Sequence, residues 1–299
     1  MNSLKTSLKN FAQDLWWSFQ HGPKDQAEKT RQQILKNTIS SLPPLLGEGS
    51  TQVFSEWNRN RQKLRNDLRK KDPRNFLRFP VVQYTMFHES KKSEYDFLKQ
   101  QGWWDKWSQA LTETSTGNPR PYSYDKSTSG NLVHTAYNLA RFLTTFPTDI
   151  SKIKRVTEFG GGYGAMARLF FNLGFTGEYI IYDLPEFSAI QKYYLDSHSL
   201  HLVQTISDLK DLQKVTSEPH SPTLFIATWS ISESPVELRE KIFNLVTNSD
   251  LWLMAYQPKF ENTDNKKYFE SFIKNHLEIS WRQEAINHLP HQTYIFGKK

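Results

Sequence analysis

The sequence of 299 residues contains no cysteine, which excludes disulfide bonds, thiol catalysis and thiolate metal ligands. It contains no run of about 18 apolar residues either, so no membrane-spanning helix is expected. The opening residues, Met1 to Lys5, lack the continuous apolar segment of a secretion signal. Hydrophobic residues make up only 37% of the chain, so the aromatic residues, at 14%, must supply much of the core. These features favour a cytoplasmic protein.

The most informative segment begins with a short apolar run that ends in Glu158 and is followed by a glycine-rich turn. Glycines stand at positions 160, 161, 162 and 164, and an apolar stretch with helical spacing comes next. A second β-rich run, 179–182, ends in Asp183. A strand, a tight glycine turn, a helix, a strand and an acid form half of a nucleotide-binding βαβ unit. The glycines allow a sharp turn and close approach of a ligand.

The glycine spacing by itself fits two classes of cofactor. Gly160-x-Gly162-x-x-Ala165, with an acid 19 residues after position 164, satisfies the dinucleotide fingerprint. The acid at Glu158 discriminates better, because a carboxylate there would repel a pyrophosphate and attract the cationic methionine end of S-adenosylmethionine. The pattern Glu158-x-Gly160-x-Gly162-x-Gly164 resembles the first motif of class I S-adenosylmethionine-dependent methyltransferases.

The downstream pattern fits the same fold. The continuous apolar run 223–228 is typical of a strand that is buried on both faces of a parallel sheet, and 251–256 is the next strand. Between them, Ser234 and Glu237 form a predicted capping box with a proline at the first helical position. The runs 277–281 and 293–296 have no helix between them, which predicts a terminal hairpin. Class I methyltransferases end in such a hairpin, whose last strand runs antiparallel.

Four segments together resemble the bacterial sugar O-methyltransferases, over roughly residues 130 to 299: Glu158-Phe-Gly-Gly-Gly-Tyr-Gly, Tyr182-Asp-Leu-Pro-Glu, Ala227-Thr-Trp-Ser-Ile-Ser-Glu-Ser-Pro and Leu238-Arg-Glu. The resemblance implies an α/β, Rossmann-like sheet of seven strands, the last one antiparallel. It also implies methylation of a sugar hydroxyl in polysaccharide or glycolipid biosynthesis. The resemblance leaves open whether the carbohydrate acceptor is free, nucleotide-linked or lipid-linked. Alternatives are a methyltransferase for a natural product, nucleic acid or protein, and a non-catalytic module that binds S-adenosylmethionine; a nicotinamide oxidoreductase is less favoured.

The first part of the chain is predicted to be helical. Residues 1–125 are expected to form a cap that contributes to substrate binding, and residues 126–299 the domain that binds S-adenosylmethionine. Apolar residues at helical spacing between Leu4 and Phe19 predict an opening helix. The stretch 112–131 is rich in Ser, Thr, Gly and Pro, which predicts a long loop of the kind that often serves as a lid.

Positive charge is concentrated near the beginning of the chain. Residues 1–80 hold 15 Lys and Arg against 7 Asp and Glu, whereas the remaining 219 residues hold 23 against 24. The excess lies mainly in the run Arg59–Arg78, where apolar spacing predicts a basic amphipathic helix. This helix either has an ordinary solvated face or contacts an anionic surface. Nucleic acid is disfavoured as a partner, because no RNP-like aromatic pair and no Cys/His finger is present.

The predicted cofactor site follows from the motif positions and the resemblance. Glu158 is assigned to the methionine amino group, Asp183 to the ribose diol, and Leu184 to a position beside the adenine. The other predicted cofactor-binding residues follow the strands: Gly160, Gly161 and Gly162 after the first, Ser207 or Asp208 after the third, and Thr228, Trp229 and Ser230 at the end of the fourth.

Methyl transfer from a sulfonium is an in-line displacement, in which positioning supplies much of the rate. A sugar hydroxyl is a poor nucleophile, so we expect a general base, which typically contributes about 10²–10⁴-fold. The candidates, in order of preference, are Glu233, His134, His291 and His288. Each candidate also has a possible structural role instead of a catalytic one. Glu233 could favour the helix N-terminus that it precedes, His134 could be a helix-surface or core histidine, and His288 and His291 could be turn residues. No metal is predicted, since no group with ligand spacing lies near residues 230–233.

Overall fold

The computed structural model describes residues 25–45, 52–87 and 90–299, so the predicted opening helix between Leu4 and Phe19 lies outside the described residues. The chain divides into two compact units, one of Met1–Thr85 with Thr114–Arg120 and one of Met86–Glu113 with Pro121–Lys299. The division into 1–125 and 126–299 stays a prediction. In the described ranges, none of the helices combines the length and apolar character that a membrane span requires.

Helices dominate the first unit. They are α1 (Gln26–Ser41), α2 (Gln52–Lys70), a 3-10 helix (Pro73–Arg78) and α3 (Pro80–Met86), which ends at the unit boundary. The side chain of Asp25 caps α1 by accepting a hydrogen bond of 2.6 Å from the main-chain nitrogen of Glu28. The predicted basic helix is confirmed up to Lys70 as α2, which buries Leu64 and Leu68 completely, whereas Arg74 and Arg78 lie on the 3-10 helix.

Four basic side chains of the run Arg59–Arg78 form hydrogen bonds within this unit. The bonds are Arg65 Nη1 to Pro43 O at 2.6 Å, Arg69 Nη2 to Ile39 O at 3.1 Å, Arg74 Nη2 to Asp72 Oδ2 at 2.7 Å and Arg78 Nε to Asn118 O at 2.6 Å. Each bond ties separate parts of the chain or neutralises a nearby carboxylate. Part of the positive charge therefore stabilises the unit itself.

The second unit contains a sheet of seven strands. The strands are β1 (Arg155–Phe159), β2 (Glu178–Tyr182), β3 (Gln204–Ile206), β4 (Thr223–Thr228), β5 (Leu251–Tyr256), β8 (Ser280–Ala285) and β9 (Thr293–Lys298); β6 (Lys259–Phe260) and β7 (Thr263–Asp264) form a separate short ribbon. The order is β3-β2-β1-β4-β5-β9-β8, and β9 alone runs in the direction opposite to the other six strands. This arrangement confirms the predicted Rossmann-like sheet of the class I methyltransferases, with its antiparallel last strand.

Helices of the second unit lie before and between the strands. Three precede β1: α4 (Lys92–Lys99), α5 (Trp104–Ala110) and α6 (Gly130–Thr145). The others lie between strands: α7 (Ala165–Asn172), α8 (Pro185–Ser197), α9 (Leu209–Thr216), α10 (Val236–Val246) and α11 (Asn265–Asn275). Aromatic side chains supply much of the core, as the composition requires. The rings of Phe225 and Trp252 lie 5.3 Å apart, and those of Phe243 and Phe272 lie 4.3 Å apart. These rings pack α10 and α11 against β4 and β5.

The predicted capping box at Ser234 is wrong. A 3-10 helix occupies Ser230–Glu233, and α10 begins only at Val236, after Pro235. The hydroxyl of Ser234 donates a hydrogen bond of 2.8 Å to the carbonyl of Ile231, so it closes the 3-10 helix instead of opening α10. The third strand, Gln204–Ile206, has no apolar run that marks it in the sequence.

Candidate active site

The glycine turn lies at the carboxyl end of β1. The backbone of Gly160, Gly162 and Gly164 has φ angles of 72°, 58° and 96°, a region that L side chains rarely adopt. A Cβ at Gly160 would overlap the side chain of Ser230, and one at Gly161 would come within 2.7 Å of Ile181 Cγ2. The turn is therefore packed tightly against the ends of the neighbouring strands, and glycine is required sterically as well as conformationally.

Glu158, on β1, has its carboxyl group beside this turn. It is 4% exposed, and the hydroxyl of Tyr179 donates a hydrogen bond of 2.9 Å to its Oε2. A Cβ at Gly161 would lie 3.0 Å from the same oxygen. Burial raises the pKa of Glu158 to about 8, although the hydrogen bond from Tyr179 opposes the rise. A buried acid in this position gains most by pairing with a cation.

Asp183 follows β2, and its two oxygens are held separately. The main-chain nitrogen of Leu184 donates to Oδ1 at 2.7 Å, and Nε2 of Gln191 donates to Oδ2 at 2.7 Å. Gln191 also donates to the carbonyl of Gly162 at 2.9 Å, so it joins the acid to the glycine turn. Burial raises the pKa of Asp183 to about 7, against the effect of these hydrogen bonds. The sequence reasoning missed Gln191; its signal is a polar residue amid the apolar positions of α8.

The residues after β3 have local roles. The hydroxyl oxygens of Ser207 and Ser188 are 2.8 Å apart. Asp208 is exposed and caps α9 by accepting a hydrogen bond of 2.7 Å from the main-chain nitrogen of Lys210. Both residues still follow β3, next to the end of β2 and Asp183, because the nitrogen of Asp183 donates to the carbonyl of Ile206 at 2.9 Å.

Trp229 and Ser230 join the ends of three strands. Trp229 follows Thr228, the last residue of β4, and has a φ of 65°, which is strained for a bulky residue. Its main-chain nitrogen donates to the carbonyl of Ala255 on β5 at 2.7 Å. The hydroxyl of Ser230 donates to the carbonyl of Phe159, the last residue of β1. The sequence predicted the position of these residues but not the unusual backbone conformation.

Two of the four catalytic candidates meet at an acid that the sequence reasoning missed. His134 Nδ1 on α6 lies 2.7 Å from Oε1 of Glu94 on α4, and His288 Nε2, in the turn before β9, lies 2.6 Å from the same oxygen. Glu94 is completely buried. Burial alone would raise the pKa of Glu94, but the hydrogen bond and charge of His134 hold it below its ordinary value. The carboxylate is therefore ionised between two imidazoles.

This group, which we call the Glu94 cluster (Glu94, His134 and His288), lies beside the end of β4. The ring of His134 packs against that of Trp229, with centroids 5.3 Å apart and planes inclined at 32°. Because Ser230 contacts the glycine turn, Trp229 and Ser230 connect the cluster to the end of β1. The predicted cofactor residues and two of the predicted catalytic residues thus flank one edge of the sheet.

The other two catalytic candidates have different surroundings. Glu233 lies at the end of the 3-10 helix and accepts a hydrogen bond of 3.2 Å from Nε2 of Gln257. His291 is exposed and has a φ of 65° in the turn before β9. Neither belongs to the Glu94 cluster.

Comparison with solved structures finds methyltransferases at low identity. An rRNA methylase from Streptococcus thermophilus is 12% identical, with 55% of this chain and 96% of that chain covered and a TM-score of 0.43. The 16S rRNA methylase ArmA is 14% identical, with 69% and 98% covered and a TM-score of 0.39. The precorrin-6y C5,15-methyltransferase from Geobacter metallireducens GS-15 is 13% identical, with 54% and 86% covered and a TM-score of 0.37.

No protein-family model and no curated protein matches this chain. At TM-scores of 0.37 to 0.43, the likenesses to solved structures decide neither the acceptor nor the site. The fold class rests on the order and direction of the strands: the chain has the Rossmann-like fold of class I methyltransferases. S-adenosylmethionine is the methyl donor of that class.

Proposed function

We propose that the chain is an S-adenosylmethionine-dependent methyltransferase. The observation that carries the proposal is the buried carboxyl group of Glu158 beside the glycine turn at the end of β1. In surroundings of low dielectric constant, a carboxylate attracts an ammonium or sulfonium group strongly and repels a pyrophosphate. A cationic cofactor therefore suits this position better than a dinucleotide does.

The cofactor would lie across the ends of β1, β2 and β4. The backbone of the glycine turn would approach it closely, Glu158 would receive the methionine amino group, and Asp183 the ribose hydroxyls. Asp183 already accepts hydrogen bonds from Leu184, Gln191 and the backbone of Gly162, and a carboxylate has about four acceptor sites, so one is left for a ribose hydroxyl. We assign the remaining contacts to the residues predicted from the sequence: Leu184, Ser207 or Asp208, Thr228, Trp229 and Ser230.

In the proposed reaction an acceptor hydroxyl oxygen attacks the methyl carbon in line with sulfur. The new O–C bond forms, the C–S bond breaks with its electron pair moving to sulfur, and the hydroxyl proton passes to a basic side chain or to water. We assign the activation of the hydroxyl to the Glu94 cluster, because the ring of His134 packs against Trp229 next to the end of β4. Glu233 and His291 take a lower rank than the sequence gave them, because Glu233 accepts a hydrogen bond from Gln257 and His291 is exposed in the turn before β9.

For the acceptor we propose a carbohydrate, whether free, nucleotide-linked or lipid-linked; its support is the resemblance of the motif segments to bacterial sugar O-methyltransferases. A nucleic acid is the second candidate, favoured by the exposed basic residues Arg59, Lys63 and Lys70 of α2. The same residues would suit a phosphorylated or nucleotide-linked sugar. Charge alone therefore does not choose between the two acceptors.

The experiment is to incubate the full chain with methyl-tritiated S-adenosylmethionine and separate polysaccharide, lipid and RNA fractions. Tritium in a glycan or glycolipid fraction that resists nuclease and protease supports the carbohydrate acceptor. Tritium that nuclease releases would contradict the carbohydrate acceptor and identify a nucleic acid as the acceptor instead. No transfer to any fraction, by protein that still binds S-adenosylhomocysteine, would contradict catalysis and favour a non-catalytic binding module.

A further inference from the structure

We propose that the Glu94 cluster binds a divalent transition-metal ion. The inference deepens the proposed function, because an ion in this place would activate the acceptor hydroxyl. Metal binding can nevertheless be measured without any acceptor, so the two proposals can fail separately. The sequence predicted no metal, because that expectation considered only the residues around Ser230 and Glu233.

Three donor atoms from three separate parts of the second unit converge here. Oε1 of Glu94 comes from α4, Nδ1 of His134 from α6, and Nε2 of His288 from the turn before β9. All three atoms lie within 4.8 Å of one another. Glu94 is separated from the two histidines by 40 and 194 positions in the chain, so only the fold brings the group together.

The donor set is one that metal ions use. Two imidazole nitrogens and one carboxylate oxygen bind catalytic zinc and leave a fourth position for water or substrate; the same residue types hold iron(II) with open positions. Metal–ligand distances of about 2.0–2.2 Å in tetrahedral geometry separate the donors by about 3.4 Å. The present separations from Glu94 Oε1 are 2.7 and 2.6 Å, so each histidine nitrogen needs to move away from this oxygen by less than 1 Å.

Electrostatics favours a cation in this place. Glu94 and His134 are 0% and 4% exposed, so the charge of the carboxylate is shielded little by water. A buried carboxylate is costly unless it is paired, and a divalent ion would pair it through both an ionic and a coordinate bond. His288 is more exposed than the other two, with 14% of its side chain accessible, so its side of the cluster lies nearest to solvent.

The position next to Trp229 gives the ion a chemical role. A hydroxyl bound at the open coordination site has a lowered pKa, so its proton can pass to water before the oxygen attacks the methyl carbon. In this arrangement His134 and His288 are metal ligands, and the general base predicted from the sequence is replaced by the ion. The proposal therefore assigns three residues to one function instead of ranking them as alternative bases.

The test is metal binding by the purified full chain after removal of metals with a chelator. Zn²⁺ is titrated by calorimetry, the bound metal is counted by mass spectrometry after dialysis, and Co²⁺ serves as a coloured probe of coordination geometry. We expect one ion per chain and a tetrahedral or five-coordinate Co²⁺ spectrum. Glu94→Gln and His288→Ala should each weaken Zn²⁺ binding at least about 100-fold. The matched control, His291→Ala, removes an exposed histidine from the same turn and should bind Zn²⁺ as the wild type does.

Circular dichroism and S-adenosylhomocysteine binding are measured on every variant to show that it is folded. Wild-type protein that binds the cofactor but no ion would overturn the metal proposal alone. Zn²⁺ binding that survives His288→Ala, or that is lost equally in His291→Ala, would overturn it as well. If the wild-type protein binds no ion, the cluster acts through hydrogen bonds only. Failure of S-adenosylhomocysteine binding in wild-type protein would instead contradict the proposed function, whatever the metal content.

Discussion

Gln191 hydrogen-bonds to Asp183 at 2.7 Å, although eight residues separate them along the chain. The same amide donates to the carbonyl of Gly162 at 2.9 Å, and Gln191 is completely buried. One side chain on α8 therefore fixes the acid at the end of β2 relative to the turn at the end of β1. If Asp183 binds the ribose, Gln191 is the residue that orients it.

Replacement of Gln191 tests this relationship. Gln191→Leu keeps the approximate volume but removes both hydrogen bonds and leaves buried acceptors with one partner fewer. We expect a loss of about 1–3 kcal/mol in the free energy of unfolding and weaker S-adenosylhomocysteine binding. Gln213→Leu, on the exposed side of α9, is the matched control. Denaturant unfolding and calorimetry measure the two effects; unchanged affinity in Gln191→Leu would show that Asp183 does not need this partner.

Cofactor affinity should depend on pH. Burial raises the pKa of Glu158 to about 8 and that of Asp183 to about 7, so both acids take up protons in the unliganded protein as the pH falls. The amino group of S-adenosylhomocysteine needs an ionised partner. We therefore expect the affinity to fall at least about tenfold between pH 8.5 and pH 6. Calorimetry at several pH values measures this affinity. The affinity of Glu158→Gln should depend less on pH than that of the control variant Glu237→Gln. A wild-type affinity that does not change with pH would contradict the assignment of Glu158.

The same two acids make a separate prediction about stability. Because their pKa values are raised in the folded protein, they favour folding most when the pH is below their unfolded values. That contribution is lost as the pH rises through about 7 and then about 8. Cofactor binding should offset the loss. Thermal unfolding with and without S-adenosylhomocysteine should therefore show a ligand-induced rise in Tm that is larger at pH 8.5 than at pH 6; equal shifts would argue against the coupling.

The glycine turn can be tested with a single methyl group. Gly161→Ala would bring a Cβ within 2.7 Å of Ile181 Cγ2 and 3.0 Å of Glu158 Oε2. We expect a destabilisation of about 1–3 kcal/mol and loss of cofactor binding. Gly102→Ala is the control, because its added Cβ would have no neighbour within 4 Å. It should change the free energy of unfolding by no more than about 0.5 kcal/mol. Normal cofactor binding by Gly161→Ala would contradict close approach of the ligand.

The basic run of the first unit should separate into structural and exposed members. Arg65 is 3% exposed and donates to the carbonyl of Pro43, so Arg65→Ala should cost about 1.5–3 kcal/mol of stability. Arg59 is exposed, and Arg59→Ala should change stability by no more than about 0.5 kcal/mol. Denaturant unfolding checks both. Salt-dependent RNA binding that weakens in Arg59→Ala and the matching Lys63→Ala would strengthen the nucleic-acid alternative.

Local pattern was enough to predict most of the sheet. The predicted bounds of β4 and β5, 223–228 and 251–256, agree with the structure because both strands are continuous apolar runs. The terminal hairpin was recognised because no helical pattern separates its strands. Ser234 misled the prediction, since a serine, a proline and a glutamate at capping-box spacing also fit the end of a 3-10 helix. Sequence periodicity does not distinguish these two uses of the same residues.

The site was predictable only where its residues are close in sequence. Glu158, the glycines and Asp183 belong to one βαβ unit, so their positions followed from the motif. Glu94 could not be found in this way, because it meets His134 and His288 only through tertiary packing. The left-handed backbone of Trp229 likewise depends on its hydrogen bonds to neighbouring strands.

The most direct measurement is calorimetric titration of the purified chain with S-adenosylhomocysteine and, in parallel, with NADH. A cofactor site with a buried acid beside the glycine turn should bind S-adenosylhomocysteine with micromolar affinity and NADH not at all. Binding of NADH alone would contradict the account, because it would mean that the turn accepts a pyrophosphate next to Glu158. Binding of neither ligand would contradict it as well, since the glycine turn and Asp183 would then hold no cofactor of either class.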